Sequence, residues 1–455
     1  MTLLNTLVET IENLYTNRYL SPLANQWQGL VDAMADWSVP DVVPQRRFFS
    51  RWVEPYLRKG NKVCVIISDA FRFEAAHEMA SRFNREDRYN ASLDSMLASL
   101  PSYTQLGMAS LLPNAQQAMQ VSATDGTVSI DGLSTQGTAN RDKHLKQTLG
   151  ERACALQAKA VLEMTQTEGR ETFKAHDVIY IYHNRIDHAG DKIQSEGQAF
   201  EAIERTFDDL MTLVKKLAAY NASNVLITAD HGFIYQNRVL EENDFLKVEL
   251  AGDTQYRDRR FLLGTNLSGS DALKVFSAKQ LGLSGEMTAA IPKGIQRLRL
   301  QGSGSRFVHG GAALQEVIVP VISVNKKRQS DIATVEVDLL RGGTSVISAG
   351  QLSVTLYQTE AVTDKLQPRV LRAGIYTDSG QLISEQHSVT MDLTSDNARE
   401  REVKLRFVLN QAADDANNQD VTLKLEEPVA GTNQFKEYRH LKYTIRRSFT
   451  SDFDF

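Results

Sequence analysis

The chain has 455 residues, with 51 Lys and Arg against 56 Asp and Glu and a formal net charge of −5. That length exceeds what one hydrophobic core usually covers, so two or three domains are expected, and so mild a charge excludes a chain built throughout as a binder of polyanions. The two cysteines, Cys64 and Cys154, form neither a metal-type CxxC spacing nor a disulfide framework, which fits a reducing cytoplasm.

The N-terminal MTLLNTLVETIENLY lacks a basic start and a continuous apolar core, and no long apolar span follows, so neither secretion nor membrane insertion is expected. Residues 1–60 read instead as an amphipathic helical lead-in, with Leu3, Leu4, Leu7, Ile11 and Leu14 at helical spacing and Trp27, Leu30, Met34 and Trp37 in a second segment. No strand precedes them. A lead-in of this kind ahead of an α/β pattern suggests a piece of a longer protein.

From Lys62 the pattern changes. KVCVIIS (Lys62 to Ser68) is a continuous β-branched run of the kind buried on both faces, and a helical stripe of Phe73, Ala76, His77, Ala80 and Phe83 follows it. DVIYIYH (Asp177 to His183), NVLITA (Asn224 to Ala229) and VIVPVISV (Val317 to Val324) repeat the strand signal, with a long helical stretch from Gln194 to Ala219 between the first two. The alternation predicts an α/β domain over residues 61–325, a mostly parallel sheet covered by helices, with VIVPVISV as its last long parallel-type strand. Past Val324 a polar break, NKKRQSD, leads into two-residue alternation in TVEVDLL, QLSVTLYQ, EVKLRFVL, VTLKLEE and YRHLKYTI. Residues 332–455 are expected to form a C-terminal all-β sandwich domain.

Ligands of open α/β sheets bind beyond the carboxyl ends of the strands, so the residues that follow the buried runs carry the chemistry. KVCVIIS ends at Asp69, DVIYIYH leads to Asp187 and Asp191, NVLITA ends at Asp230 and His231, and RFVHGG sets His309 before the last strand. Any one of these acids could be a helix cap or turn former. Four carboxylates on one edge, however, repel strongly unless cations neutralise them, and Asp oxygens with His nitrogens suit Zn²⁺ while tolerating Mn²⁺ or Mg²⁺. LPSYTQLGMASLLP, Leu100 to Pro113, supplies candidate nucleophiles: Thr104 falls at the start of a short helix, and either Ser102 or Thr104 could be its N-cap. Gly232 is expected to let the chain turn away after His231.

Taken together, SDAFRFE, LPSYTQLGM, YIYHNRIDHAGD, TADHGFIY and VHGGAALQEVIVPVI resemble the PglZ domain of the alkaline phosphatase superfamily, found in bacterial phage-defence systems of the Pgl and BREX type. The likeness spans Asn61 to Val324. It implies one metal held by Asp69, Thr104, Asp230 and His231 and another held by Asp187, Asp191 and His309. Thr104 would be the nucleophile, giving a phosphothreonine intermediate that water hydrolyses with net retention at phosphorus. One departure stands out: the superfamily's Asp-x-x-x-His is here Asp187-His188-Ala189-Gly190-Asp191, with a carboxylate in the second ligand position.

The expected function is a cytoplasmic metal-dependent phosphodiesterase or nuclease acting in phage defence, with two divalent ions, Zn²⁺ ranked ahead of Mn²⁺ and Mg²⁺. Its expected partners are other proteins of the defence system and nucleic acid as substrate, with no membrane. A phosphomonoesterase and a non-catalytic scaffold with a vestigial metal site are the alternatives. Arg72, His183, His188 and Lys192 lie near the motifs and are candidates for contact with substrate.

Overall fold

Continuous apolar runs with no polar face are satisfied only inside a sheet covered on both sides. The computed structural model of the chain describes residues 2–113, 118–238, 240–242 and 245–447, and it divides into two units: Met1–Phe83 with Tyr89–Lys327, and Asn84–Arg88 with Arg328–Phe455.

The first unit is built on a seven-stranded sheet. Its strands are β1 (Val43–Pro44), β2 (Val63–Ser68), β3 (Tyr89–Leu97), β4 (Ala153–Gln157), β5 (Val178–His183), β6 (Asn224–Thr228) and β7 (Ile318–Lys326), in the order β1-β3-β7-β6-β2-β5-β4. Strands β2, β4, β5 and β6 run parallel, and β2 and β5 are buried along their whole length. The expected parallel character holds except at β7, which pairs antiparallel with both β3 and β6. An apolar run fixes burial but not direction. The connection from β6 to β7 is a long excursion, residues 229–317, rather than a single helical crossover.

The helices of this unit include α1 (Thr2–Leu14), α2 (Ser21–Ala33), α3 (Phe73–Arg85), α4 (Thr104–Ser110), α5 (Ile186–Gly190) and α6 (Ala199–Ala219). The buried stripe of α3 is Ala75, Ala76, Met79, Ala80 and Phe83, so His77 is exposed rather than inward as its spacing suggests. The lead-in is not a separate body. Val43 and Pro44 pair with Met96 and Leu97, and Trp37, Phe48 and Val53 share one apolar core with β2 and β5. A two-residue strand is too short to leave a periodic trace, which is why none is visible in the sequence.

The excursion between β6 and β7 contains a four-stranded antiparallel sheet formed by Ala251–Arg257, Leu262–Ser268, Thr288–Pro292 and Leu273–Ser277, in that order. The turn between its first two strands carries Arg259 and Arg260. Arg260 and Glu316 are fully buried and meet edge to edge, Nε to Oε1 at 2.9 Å and Nη2 to Oε2 at 2.7 Å. Glu316 also accepts from the backbone N–H of Gly311 (2.9 Å) and of Ala313 (3.0 Å), which ties this turn to the loop leading into β7.

In the second unit the two-residue alternation becomes a three-stranded sheet, with Gln351–Gln358 at its centre, and a five-stranded sheet that includes Arg369–Thr377, Asp420–Pro428 and Phe435–Ile445. Val354, Leu356 and Phe407 from the one and Leu371, Ile375, Val421, Leu423 and Leu425 from the other meet in a single core. This is the sandwich that the alternation predicts.

Replacing Arg260 by Met leaves Glu316 buried without its cation. The variant is expected to lose about 3 kcal/mol of stability, read from its denaturant midpoint at constant m-value.

Candidate metal centre

Parallel register brings three strand ends level. Ser68 at the end of β2 pairs with His183 at the end of β5, and Ile67 with Thr228 at the end of β6, so the residues just beyond them share one edge. Asp69, Asp230 and His231 there each offer a ligand atom within 4.8 Å of the others, and Asp187, His231 and His309 form a second such group. His231 Nε2 lies 3.4 Å from Asp230 Oδ2 and 3.6 Å from Asp69 Oδ1. His309 Nε2 lies 3.5 Å from Asp187 Oδ1, and the two imidazoles stack at 4.1 Å with planes 13° apart.

Thr104 stands at the shared corner. It is the first residue of α4, after Tyr103 as N-cap, and its Oγ1 is 3.1 Å from His231 Nε2. Because His231 Nδ1 lies 2.9 Å from the Gly232 carbonyl, which only an N–H can satisfy, Nε2 is the nitrogen whose lone pair, when the ring is neutral, faces the Thr104 hydroxyl. Ser102 is committed elsewhere: its buried hydroxyl donates to the Gly311 carbonyl at 2.6 Å.

The electrostatics of the cluster follow from its burial. Asp69 Oδ1, Asp187 Oδ1, Asp230 Oδ2 and His309 Nδ1 are buried atoms with no hydrogen-bond partner. Burial, followed by the charges of Asp230 and Asp187, holds the Asp69 carboxyl well above the usual range. Burial likewise pushes Asp187 up to about 6, with Asp230 and Asp191 adding to the rise and His231 and Arg259 opposing it. Burial and the neighbouring His231 and Arg259 press His309 well below its ordinary value and keep it neutral, as a ligand nitrogen must be. Orphaned carboxylate oxygens beside imidazole nitrogens are the donor set that divalent Zn²⁺ or Mn²⁺ takes, so the residues present fit such ions.

Close backbone approaches hold this geometry. A Cβ on Gly107 would stand 2.3 Å from the Asp230 carbonyl oxygen, so only glycine lets α4 lie against the Asp230–His231 segment. Gly232 is required for the same kind of reason: a Cβ there would meet the Gln315 carbonyl oxygen at 2.1 Å. Its value is this close approach rather than the turning freedom expected of it. The lead-in contributes Gln45, fully buried, whose Nε2 donates to the carbonyls of Asp230 (2.7 Å) and Ala229 (3.1 Å) while its Oε1 accepts from the Ser99 N–H. Ala70, held at φ 59°, donates its N–H to Asp230 Oδ1 at 3.1 Å.

The remaining expected residues lie outside the two groups. Asp191, expected to join Asp187 and His309, instead accepts from Arg259 Nη2 at 2.6 Å. Arg72 ion-pairs with Glu74 and lies over the Phe233 ring at 5.2 Å. His183 is held between Ser68 Oγ (3.0 Å) and Asp209 Oδ2 (3.1 Å), and Lys192 Nζ meets His188 Nε2 at 3.3 Å. His183 and His188 border a cleft of about 460 Å³ beside α5, with Arg185 and Asp209, and no member of the two ligand groups lines it. Gln45 and Arg259 leave no trace in the sequence, because both sit in segments without periodic signal. Among the described residues no helix is long and apolar enough to cross a membrane.

Sheet, helical cover and strand-end carboxylate–imidazole cluster define an alkaline-phosphatase-like domain. Residues 48–324 match the model of the "BREX system PglZ alkaline phosphatase-like domain", and the chain belongs to that family. It is 37% identical over 424 residues to the alkaline phosphatase-like protein BrxZ of Escherichia coli O9:H4 (strain HS), covering 89% of this chain and 48% of that protein. It is 33% identical over 462 residues to the alkaline phosphatase-like protein PglZ of Bacillus cereus (strain H3081.97), covering 98% and 52%. The chain thus spans about half the length of the curated relatives it matches. Among solved structures, murine ectonucleotide pyrophosphatase/phosphodiesterase 5 is similar at 12% identity and a TM-score of 0.36 (58% of this chain, 88% of that one). Phosphonoacetate hydrolase from Sinorhizobium meliloti 1021 gives 12% and 0.37 (58% and 89%).

Two outcomes follow from this geometry. Gly107→Ala forces α4 off Asp230, and is expected to cost about 1–3 kcal/mol of stability and about tenfold in affinity for Zn²⁺, measured by melting and by titration calorimetry. Asp187 ionises reluctantly in the folded chain, so its contribution to stability is intact below about pH 4 and is lost as pH rises through about 6. Metal-free Asp187→Asn is therefore expected to be more stable than wild type by up to about 3 kcal/mol at pH 7. The gap should close near pH 4 in parallel denaturant titrations.

Proposed function

We propose that the chain is a metal-dependent phosphoryl-transfer hydrolase that uses Thr104 as nucleophile and acts on phosphodiesters, nucleic acid among them, in bacterial phage defence. The observation that carries this reading is the Thr104 hydroxyl 3.1 Å from His231 Nε2, at the corner common to both ligand groups. Asp69, Thr104, Asp230 and His231 would hold one divalent cation, and Asp187 and His309 the other; zinc ranks first, with manganese and magnesium as rivals. Such ions would neutralise the buried carboxylates and polarise a phosphoryl oxygen.

The chain's own groups supply the rest. Thr104 Oγ1 loses its proton to solvent and bonds to phosphorus, while the ester bond breaks with its electron pair on the leaving oxygen, which takes up a proton. Water then cleaves the phosphothreonine and restores the hydroxyl, so two displacements retain configuration at phosphorus. The crowding of Asp69, Asp187 and Asp230 supports a diester, because buried carboxylates repel a dianionic monoester more than a monoanionic diester. Membership of a family named for the BREX system supports a place among other proteins of a defence complex.

The test is hydrolysis of bis-nitrophenyl phosphate and of the mono-ester with Zn²⁺, Mn²⁺ and Mg²⁺. The diester is expected to turn over faster, chelation to abolish both activities, and Thr104→Ala to lower turnover by about 1,000-fold or more. A faster mono-ester would make the chain a phosphatase, and unchanged turnover in Thr104→Ala would remove the nucleophile. Phage resistance that survives Thr104→Ala would favour the scaffold.

A further inference from the structure

Asp191 lies one helical turn beyond Asp187, its N–H bonded to the Asp187 carbonyl at 2.8 Å, yet its carboxylate is not a member of either ligand group. It is 55% exposed and accepts a charge-assisted bond of 2.6 Å from Arg259, whose side chain is only 6% exposed. Arg259 is anchored from several directions. Its Nη1 donates to the Phe307 carbonyl at 3.2 Å, its backbone N–H donates to Asp258 Oδ1 at 2.5 Å, and its carbonyl accepts from the Leu298 N–H at 2.7 Å.

We propose that Asp191 is the counter-ion of Arg259 and not a metal ligand, so that the second cation position is formed by Asp187 and His309 with a fixed guanidinium beside it. This rests on the metal-dependent reading above. Were Asp191 to turn toward Asp187, Arg259 would keep a carbonyl and a more distant carboxylate, Asp258 Oδ1 at 3.8 Å from its Nε, and a buried guanidinium without a close anion is strongly disfavoured. His231 cannot make up the difference. Its Nδ1 is committed to Gly232, and its Nε2 already faces Asp69 and Asp230.

The first position therefore has Asp69, Asp230, His231 and Thr104 around it, while the second has two side chains and a repelling cation nearby. The two positions differ in affinity as a result, and the guanidinium rather than a histidine marks the departure from Asp-x-x-x-His. Arg259 acts here as a positioning residue, through its hold on Asp191.

The experiment is calorimetric titration of the chelator-stripped protein with Zn²⁺ and with Mn²⁺, with bound metal counted by mass spectrometry. Wild type is expected to bind two equivalents whose dissociation constants differ by at least about 100-fold. Asp191→Asn keeps a side-chain oxygen for Arg259 to donate to and leaves Asp187 and His309 in place; it is expected to cost stability, because the guanidinium loses its anion, but to move the weaker constant by less than threefold. Arg259→Gln frees Asp191 to turn inward and is expected to tighten the weaker equivalent about tenfold, a gain that Asp191→Asn added to it removes. Loss of the second equivalent in Asp191→Asn, or its weakening by threefold or more, would overturn the proposal, as would two equal affinities in the wild type. If Arg259→Gln misfolds, the Asp191→Asn arm decides alone. A wild type that binds no metal would overturn the metal-dependent reading as well, and so is distinguishable from failure of this inference only.

Discussion

Mutual repulsion among Asp69, Asp187 and Asp230 is the constraint that organises the first unit. Two unit charges 4 Å apart repel by about 4 kcal/mol at the effective dielectric of a protein site, and more where water is excluded. Burial first, and the neighbouring carboxylate charges after it, make both Asp69 and Asp187 take up protons more readily than free carboxylates do. A fold that keeps such groups together must hold them by other means. Ala70 donates to Asp230 from a backbone conformation unusual for alanine, Gln45 clamps the carbonyls on either side of that turn, and Gly107 lets a helix press against it. Under the metal-dependent reading, a cation bound among these groups would relieve that cost and so would couple occupancy to stability and to proton release.

The supports come from widely separated parts of the chain, and this explains the architecture around the sheet. Gln45 belongs to the lead-in, 185 residues before the Asp230 carbonyl it holds. Arg260 lies in the excursion between β6 and β7 and fixes Glu316, which in turn receives the N–H groups of Gly311 and Ala313 in the loop after His309. A Cβ on Gly311 would collide with the Arg260 guanidinium at 2.3 Å and one on Gly310 with the Phe261 ring at 2.6 Å, so the glycine pair after His309 is shaped by the turn that carries the buried ion pair. The lead-in and the excursion are therefore parts of the site's scaffold, and the folding unit extends beyond the α/β pattern that announces it.

Much of the site was legible because the strand ends carry it: an apolar run that stops at an acid, as in KVCVIIS before Asp69 and NVLITA before Asp230, places that acid on the ligand edge by register alone. The direction of β7 was not legible, since burial is the same for parallel and antiparallel neighbours. Gln45 was invisible because one buried amide in a segment of short turns leaves no period to detect. Asp191 shows the limit most directly. Spacing on α5 puts it on the face of Asp187, but the orientation of its side chain is decided by an arginine 68 residues later in the chain.

That arginine also bears on the charge of the site as a phosphate ester would meet it. With Asp191 neutralised by Arg259, the carboxylates left to the metal positions are Asp69, Asp187 and Asp230. Under the metal-dependent reading, two divalent cations against three carboxylates would leave a single positive charge before Thr104 gives up its proton, which would match the single negative charge of a phosphodiester. A fourth carboxylate in the set would cancel that charge and remove the electrostatic reason for an anion to enter. The superfamily's histidine in this position adds no negative charge, and here a carboxylate paired with a buried guanidinium reaches the same balance by a different route. On the proposal above, the carboxylate at Asp191 would be compensated in charge by Arg259 but not in ligation, and the remaining difference would fall on how tightly a second cation is held.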